Sequence, residues 1–389
     1  MNRRKILAFT GIRSEYDLQF PIVKELNAKE NVDFGFVVFG AHLSEKFGST
    51  VQLIEKDGFK IIRKIFNFIE DDSHYAKAKS SGVLMVGLAD VFRDYQPNMV
   101  LVVGDREEVI IASISASYFN VPIAHVFGGD YTFPESLGNV DDHIRNATTK
   151  LAHLHFVIHE EHKQRIIKMG EEPWRVFNTG SPGQDKYVEH QYSIDTVNNF
   201  FHVDLKPKEY AVLIHHSLPN NLEESKEEIN NILSALDKSH ITTFILYPNS
   251  DPGHQLIIDN ISNLAKNKEK FIISKTLMRE IFIPLIKNAK FLIGNSSMGI
   301  LEAPFLELPV INVGKRQQER LNAGNVIFTG ISQDEIERAM DTISHDEKFI
   351  DNLKACKFFY GEGNSGKKVA DIISSIKIDN KLLAKRNTY

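Results

Sequence analysis

Phe291-Leu292-Ile293-Gly294-Asn295-Ser296-Ser297-Met298-Gly299-Ile300-Leu301-Glu302-Ala303-Pro304 decides how this chain is read. Phe291 to Ile293 is an apolar run of the kind buried in a parallel sheet, and a helical stretch follows the glycine and the serines. A second apolar run, Pro309 to Val313, comes soon after. Strand, glycine-hydroxyl turn, short helix and strand together make a βαβ unit. Its turn exposes backbone N–H groups at a helix N-terminus, where phosphate binds. Glu302, placed by this spacing about one and a half turns into the helix, offers a carboxylate to the hydroxyls of a ribose. Gly294, Ser296, Ser297 and Glu302 are therefore candidate nucleotide-binding residues.

The same alternation extends in both directions. Apolar runs occur at Ile6–Phe9, Phe34–Phe39, Met99–Val103, Ile123–Phe127, His155–His159 and Val176–Thr179, with helical patterns such as Tyr75–Tyr95, Glu107–Phe119 and Glu160–Met169 between them. The pattern breaks around Ser181-Pro182-Gly183. A second series then runs through Ala211–His215, Thr243–Tyr247, Phe271–Ser274, Phe291–Ile293 and Pro309–Val313, separated by helices at Leu222–Leu236, Gln255–Ala265 and Met278–Ile286. Strands alternating with helices give parallel sheets covered on both faces. The expected architecture is α/β, with two Rossmann-like domains facing a cleft. Residues 1–182 form the first, 183–363 the second, and a helix in 364–389 packs back on the first.

The chain has 389 residues, a length suited to two domains, and a net charge of −5, which gives no reason to expect nucleic acid or an anionic membrane as partner. No apolar stretch reaches the roughly 20 residues of a membrane span. The basic start, Met1 to Lys5, runs directly into Arg13, Glu15 and Asp17, and is read as a first strand and not as a targeting segment. Cys356 is the only cysteine, which fits a reducing cytoplasm.

Two motifs are set aside. Gly361-Glu362-Gly363-Asn364-Ser365-Gly366 fits G-x-G-x-x-G and nearly a P-loop, but Lys368 stands where a P-loop needs Ser or Thr, and too little chain follows for a βαβ unit. It is read as a polar loop capping a last helix, Lys367–Ile376. His153, His155, His159 and His162 resemble metal ligands, yet Lys163 replaces the second histidine of H-E-x-x-H, and a structural or solvent-facing role is expected. No G-x-S-x-G elbow is present.

Polar clusters recur at the strand ends: Thr10 to Arg13, Gly104-Asp105-Arg106, Gly128-Gly129-Asp130, His215-His216 and Gly294 to Ser297. Ligands of open parallel sheets sit there, so one active site drawn from both domains is expected. Asp105, Asp130, Asp141 and Asp142 make a set of carboxylates suited to moving protons at a weakly acidic C–H, with pKa values pushed apart by repulsion and burial. Asp141 and Asp142 also suit helix N-caps. His216 or His215 adds a titratable group, and Arg13 and Arg316 suit a diphosphate leaving group.

These residues resemble the UDP-N-acetylglucosamine 2-epimerase family, in its hydrolysing branch of sialic-acid-type pathways. The resemblance covers nearly the whole chain. It rests on Thr10 to Tyr16, Gly40-Ala41-His42-Leu43, Gly104-Asp105-Arg106, His125 to Asp130, Val140 to Lys150, Asn178 to Pro182, Tyr247-Pro248-Asn249-Ser250-Asp251, Gly294 to Pro304, and Gly314 to Gln317 with Arg320 and Asn325. It implies a glycosyltransferase-B-like fold and anti elimination of UDP across C1–C2 to a 2-acetamidoglucal. Water then adds with inversion at C2. Catalysis is implied at Asp105, Asp141 and His216. Nucleotide binding is implied at Arg13, Ser296, Ser297 and Glu302, and substrate contacts at Asn249, Asp251, Gly294, Arg316 and Arg320. No metal and no nicotinamide cofactor are implied. A homodimer or homotetramer is.

The chain departs from the common H-I-E-G-G-E pattern, having Phe127 at the first glutamate and Asp130 at the second. Either Asp130 carries the proton from a shifted loop, or the substrate differs. The additional stretch Tyr131–Leu137 would suit a less polar sugar. The expected substrate is UDP-N-acetylglucosamine. The alternative is UDP-2,4-diacetamido-2,4,6-trideoxyglucose of legionaminic-acid pathways. A glycosyltransferase and a non-catalytic sugar-nucleotide sensor complete the readings.

Overall fold

The computed structural model describes residues 3–69, 71, 73–131, 140–189, 193–249, 251–265 and 268–388. The chain divides into two units. Unit 1 holds the residues up to Asp130, Val140–Asp185 and those from Gly361 onward, and unit 2 holds Lys186–Tyr360. The chain therefore crosses at Asp185/Lys186 and returns at Tyr360/Gly361, each about three residues from the breaks read in the sequence.

Unit 1 runs β1 (Arg4–Thr10), α1 (Arg13–Asn27), β2 (Val32–Phe39), α2 (Val51–Lys56), β3 (Ile61–Ile65), α3 (His74–Tyr95), β4 (Met99–Val103), α4 (Glu107–Tyr118), β5 (Ile123–Val126), α5 (Asp141–Leu151), β6 (Leu154–Val157), α6 (Glu160–Lys168) and β7 (Val176–Asn178). The short α7 (Asp185–Glu189) carries the crossing. Unit 2 runs α8 (Ile194–Phe201), β8 (Tyr210–Ile214), α9 (Leu222–Ser239), β9 (Thr242–Leu246), α10 (His254–Ala265), β10 (Phe271–Ser274), α11 (Arg279–Lys287), β11 (Phe291–Gly294), α12 (Met298–Leu301), β12 (Val310–Val313), β13 (Val326–Thr329), α13 (Gln333–His345) and α14 (Glu347–Asn352). Helices α15 (Ser365–Ser375) and α16 (Asn380–Leu383) belong to unit 1.

Among the described residues, seven parallel strands form the unit 1 sheet in the order β3-β2-β1-β4-β5-β6-β7, and six form the unit 2 sheet in the order β10-β9-β8-β11-β12-β13. Side-chain alternation along β8 shows why both faces need helices. Tyr210, Val212 and Ile214 enter one buried cluster, and Ala211 and Leu213 enter the other. The strand order reverses between β1 and β4 in unit 1 and between β8 and β11 in unit 2. Ligands bind such open sheets beyond the carboxyl ends at this reversal. The motifs Thr10-Gly11, Gly104-Asp105, His215-His216 and Gly294-Asn295 all stand there.

Two strands go beyond the sequence reading. β3 and β13 are edge strands: Arg63 and Lys64 interrupt the apolar residues of β3, and the short apolar run of β13, Val326 to Phe328, is only half-buried. α15 starts at Ser365, two residues before the expected helix. Its N-terminal N–H groups are already occupied, because Asp185 accepts from Ser365 (3.2 Å) and Gly366 (2.7 Å). The G-x-G-x-x-G match thus ends on a helix terminus filled by a carboxylate. Gly366 is needed for packing: a Cβ there would stand 2.6 Å from the Pro21 backbone of α1.

Candidate functional site

In unit 1 the strand ends are organised by a cation that the sequence reading left unassigned. Arg145, buried in α5, pairs with the carboxylates of Asp105 and Asp142, and its Nη1 donates to the Asp130 backbone oxygen at 3.3 Å. Burial alone would lower its pKa, but Asp105, Asp130 and Asp142 outweigh burial and raise it, so the guanidinium stays charged. One fixed positive charge thereby collects three acidic residues from β4, β5 and α5. Asp130 is itself buried, with His162 Nε2 3.6 Å from its Oδ1. His162, set aside above with the other histidines, is thus the imidazole beside a candidate catalytic carboxylate. Asp141 and Asp142 lie in the first turn of α5, but the N-cap position falls to Val140.

The backbone leading to these groups is also fixed. Burial holds the His125 pKa down, to about 4, so the ring is neutral, and its Nε2–H donates to Gly104 O at 2.9 Å, just before Asp105. His42 is likewise lowered to about 4 by burial and bridges Thr10 Oγ1 (2.9 Å) and Thr50 Oγ1 (2.8 Å), steadying the end of β1. Arg13 is turned to Asp17, 3.3 Å away on the next turn of α1. Phe127 is buried with φ +70°, a backbone region that bulky residues rarely adopt. The loop read as Tyr131–Leu137 lies outside the described residues beyond Tyr131, as does Ser250.

In unit 2 the organiser is an amide. Fully buried Asn295 follows β11, and its side chain accepts from His216 N–H (2.7 Å) and donates to His216 O (2.9 Å). Its carbonyl accepts from Arg316 (3.0 Å) and Gln317 (3.1 Å), and Gln317 in turn accepts from Arg320 (2.7 Å). His216 Nδ1 accepts from Asn249 N–H at 3.2 Å, which places the ring proton of the neutral form on Nε2. Asn249 donates to Asp251 at 2.8 Å, and Arg316 Nη2 lies 3.9 Å from the same oxygen. His216, Asn249, Asp251, Arg316 and Arg320 are thus linked through Asn295. His215 places its Nε2 3.0 Å from buried Glu228 and 3.5 Å from the Asn295 side-chain nitrogen.

Gly294 has φ +129°, and a Cβ would stand 2.0 Å from Ile214 O. Its place is explained by the close approach of β8 and β11. The phosphate cradle needs correction. α12 is a single turn, with Ser297 at its N-cap position making no side-chain cap bond, and Ser296 Oγ accepts from Met298 N–H at 3.4 Å. Glu302 is not inside a helix: it is the C-cap of α12, because Ala303-Pro304 starts a 3₁₀ turn. Tyr187 Oη (2.8 Å) and Lys186 Nζ (2.6 Å) both contact its Oε2.

Among the described residues there is no group of three or more His, Cys, Asp or Glu that could hold a metal ion, and no helix long and apolar enough to cross a membrane.

A family model described as UDP-N-acetylglucosamine 2-epimerase matches residues 24–374. The chain is similar to the UDP-N,N'-diacetylbacillosamine 2-epimerase (hydrolyzing) of Legionella pneumophila, 33% identical across 99% of this chain and 100% of that protein. It is equally similar, at 33%, to the GDP/UDP-N,N'-diacetylbacillosamine 2-epimerase (hydrolyzing) of Campylobacter jejuni, across 89% of each. The structure is similar to that of the Neisseria meningitidis UDP-GlcNAc 2-epimerase bound to UDP-GlcNAc, with TM-score 0.80, 19% identity and coverage of 95% of this chain and 99% of that one. That last likeness is one of fold, the glycosyltransferase-B-like class of two Rossmann-like units.

Proposed function

The chain belongs to the UDP-N-acetylglucosamine 2-epimerase family, and we propose that it is a hydrolysing 2-epimerase, converting UDP-N-acetylglucosamine and water to N-acetylmannosamine and UDP. The observation that carries this reading is the Arg145 cluster, which gathers Asp105, Asp130 and Asp142 at the unit 1 strand ends. Carboxylates of different burial, held by one cation and flanked by His162, suit proton removal and proton return at one carbon.

In the proposed reaction a carboxylate among Asp105, Asp130 and Asp141 takes the C2 proton. The electron pair of that C–H bond forms the C1=C2 double bond, and the C1–O bond to UDP breaks with its electrons leaving on the diphosphate. Water then adds across the double bond: its oxygen bonds to C1 and a proton returns to C2 from the opposite face. Unit 2 holds the nucleotide in this reading. Ser296, Ser297, Arg316 and the Nε2–H of His216 meet the diphosphate charge as it grows, and Oε1 of Glu302 accepts from the ribose. Arg13, Asn249, Asp251 and Arg320 complete the binding set, Arg13 by giving up Asp17 for phosphate.

A second substrate is favoured by one residue. Phe127 puts a buried ring where the common pattern has a carboxylate, and the two relatives named for diacetylbacillosamine suit UDP-2,4-diacetamido-2,4,6-trideoxyglucose, a sugar without the 6-hydroxyl. Incubating the protein with each UDP-sugar and identifying the free sugar by mass spectrometry and NMR tests both readings. Free N-acetylmannosamine supports the first, and free 2,4-diacetamido-2,4,6-trideoxymannose the second. UDP release from neither contradicts the reaction class. The same reading places the protein in the cytoplasm, as a homodimer or homotetramer. Tyr75, Val83 and Val86, exposed on α3, are apolar groups that a second copy would cover.

A further inference from the structure

The segment Asn380–Thr388 has no part in the reading above, yet it reaches the helix that carries Asp141, Asp142 and Arg145. α5 ends at Leu151, and the last carbonyls of a helix have no partner within it. Lys385 supplies one. Its Nζ donates to Thr149 O (3.0 Å), Lys150 O (2.7 Å) and Ala152 O (2.8 Å). The same ammonium lies 2.7 Å from Oε2 of buried Glu171, whose Oε1 accepts from Lys150 Nζ at 2.7 Å. His155 Nε2 stands 3.3 Å from Glu171 Oε2. A cation here meets the negative end of the helix and a buried carboxylate together.

The segment that delivers Lys385 is itself held along its length. Arg175, fully buried, donates to Lys381 O (2.9 Å) and Leu382 O (2.8 Å). Asn387 accepts from Lys150 (2.9 Å), and Thr388 N–H donates to Gly170 O (3.0 Å). Lys381 adds a contact that does not touch α5, its Nζ lying 4.7 Å from the Trp174 ring.

We propose that Lys385 is a positioning residue for the reaction: by seating the last turn of α5 it fixes where the helix presents Asp141, Asp142 and Arg145 at its other end. This rests on the reading that α5 carries catalytic groups. A helix of this length is a rod of roughly 16 Å, so a small tilt at one end becomes a displacement of about an ångström at the other. Displacements of that size cost about 100-fold in rate when they separate catalytic groups.

The test uses the full chain with Lys385→Met, which keeps the aliphatic stem and removes the ammonium. Lys381→Met, on the same segment, is the control. Hydrogen exchange needs no substrate. α5 amides are expected to exchange about tenfold faster in Lys385→Met, a local opening of roughly 1.4 kcal/mol, with β4 and β5 unchanged. In turnover, kcat is expected to fall about tenfold or more, with KM and the UDP dissociation constant within about twofold. Lys381→Met leaves both readouts unaltered. Unchanged α5 exchange, an equal effect of Lys381→Met, or a loss residing in KM would overturn the proposal. Should Lys385→Met fail to fold, Glu171→Gln, which leaves the carbonyl seat intact but removes the counter-charge, is expected to give the same pattern in weaker form, and normal α5 exchange there overturns it. If the wild-type chain releases UDP from neither sugar, the proposed function fails, while the exchange experiment still decides the seat.

Discussion

The two strand-end clusters solve different problems. In unit 1 the organiser is a guanidinium: Arg145 collects Asp105, Asp130 and Asp142. In unit 2 the organiser is a neutral amide, and Asn295 fixes backbone and side chains of β8, β11 and the loop after β12 without adding charge. An ionic centre keeps carboxylates close and unequal, which suits proton transfer. An amide centre aims donors without itself adding an anion, which suits a diphosphate. The one nearby acid among the linked residues, Asp251, is engaged by Asn249 and Arg316.

Substitutions in one cluster should therefore spare the chemistry of the other. The largest effect is expected from Asp105→Asn: kcat falls by about 10²–10⁴, while UDP affinity measured calorimetrically stays within about twofold. An equal loss of UDP affinity would remove the distinction between the clusters. Next comes Asn295→Ala, which strands several buried partners at about 1–3 kcal/mol each. It should weaken UDP binding about 10- to 100-fold, and the pH profile of whatever turnover remains should keep its shape. A shifted profile would mean that the amide centre takes part in proton transfer.

The smallest effect concerns stability. Glu15 is buried and accepts from Gly11 N–H at 3.0 Å, and burial and Glu108 push its pKa from the ordinary 4.5 up to about 8. Arg106 and the Gly11 N–H oppose that rise, and Glu107 adds to it. A carboxyl raised in the folded state stabilises below about 4.5, and that contribution is lost as pH climbs to about 8. Above about pH 6.5, where the buried neutral His42 and His125 have already made their contribution, thermal melts of the wild type should therefore fall towards pH 8, and Glu15→Gln should flatten that slope. A slope unaffected by the substitution would mean that Glu15 ionises normally.

Much of this architecture could be read from the chain. The inner strands announce themselves because both faces are buried, and glycines with hydroxyl or acidic residues after them mark the strand ends. What escaped has physical causes. β3 and β13 lie at sheet edges, where Arg63 and Lys64 break up the first and the apolar run of the second is only three residues, Val326 to Phe328. Glu302 was expected inside a helix, but Ala303-Pro304 cuts that helix to one turn, and the residues holding its carboxylate, Lys186 and Tyr187, are more than a hundred positions away. Arg145 and Lys385 look like ordinary surface residues in sequence; only tertiary packing buries the first and carries the second to the end of α5. The strand-end positions of Asp105 and His216 were legible because topology alone places them. Ser296 and Ser297 were legible as a turn, although the helix behind them is too short to contribute much of a dipole.

The central claim is that UDP leaves by elimination after a proton is taken from C2. Running the reaction in D₂O and reading the released sugar by NMR measures that directly. The account predicts one solvent deuterium at C2 in every molecule of free sugar. Release of UDP with protium retained at C2 would contradict it.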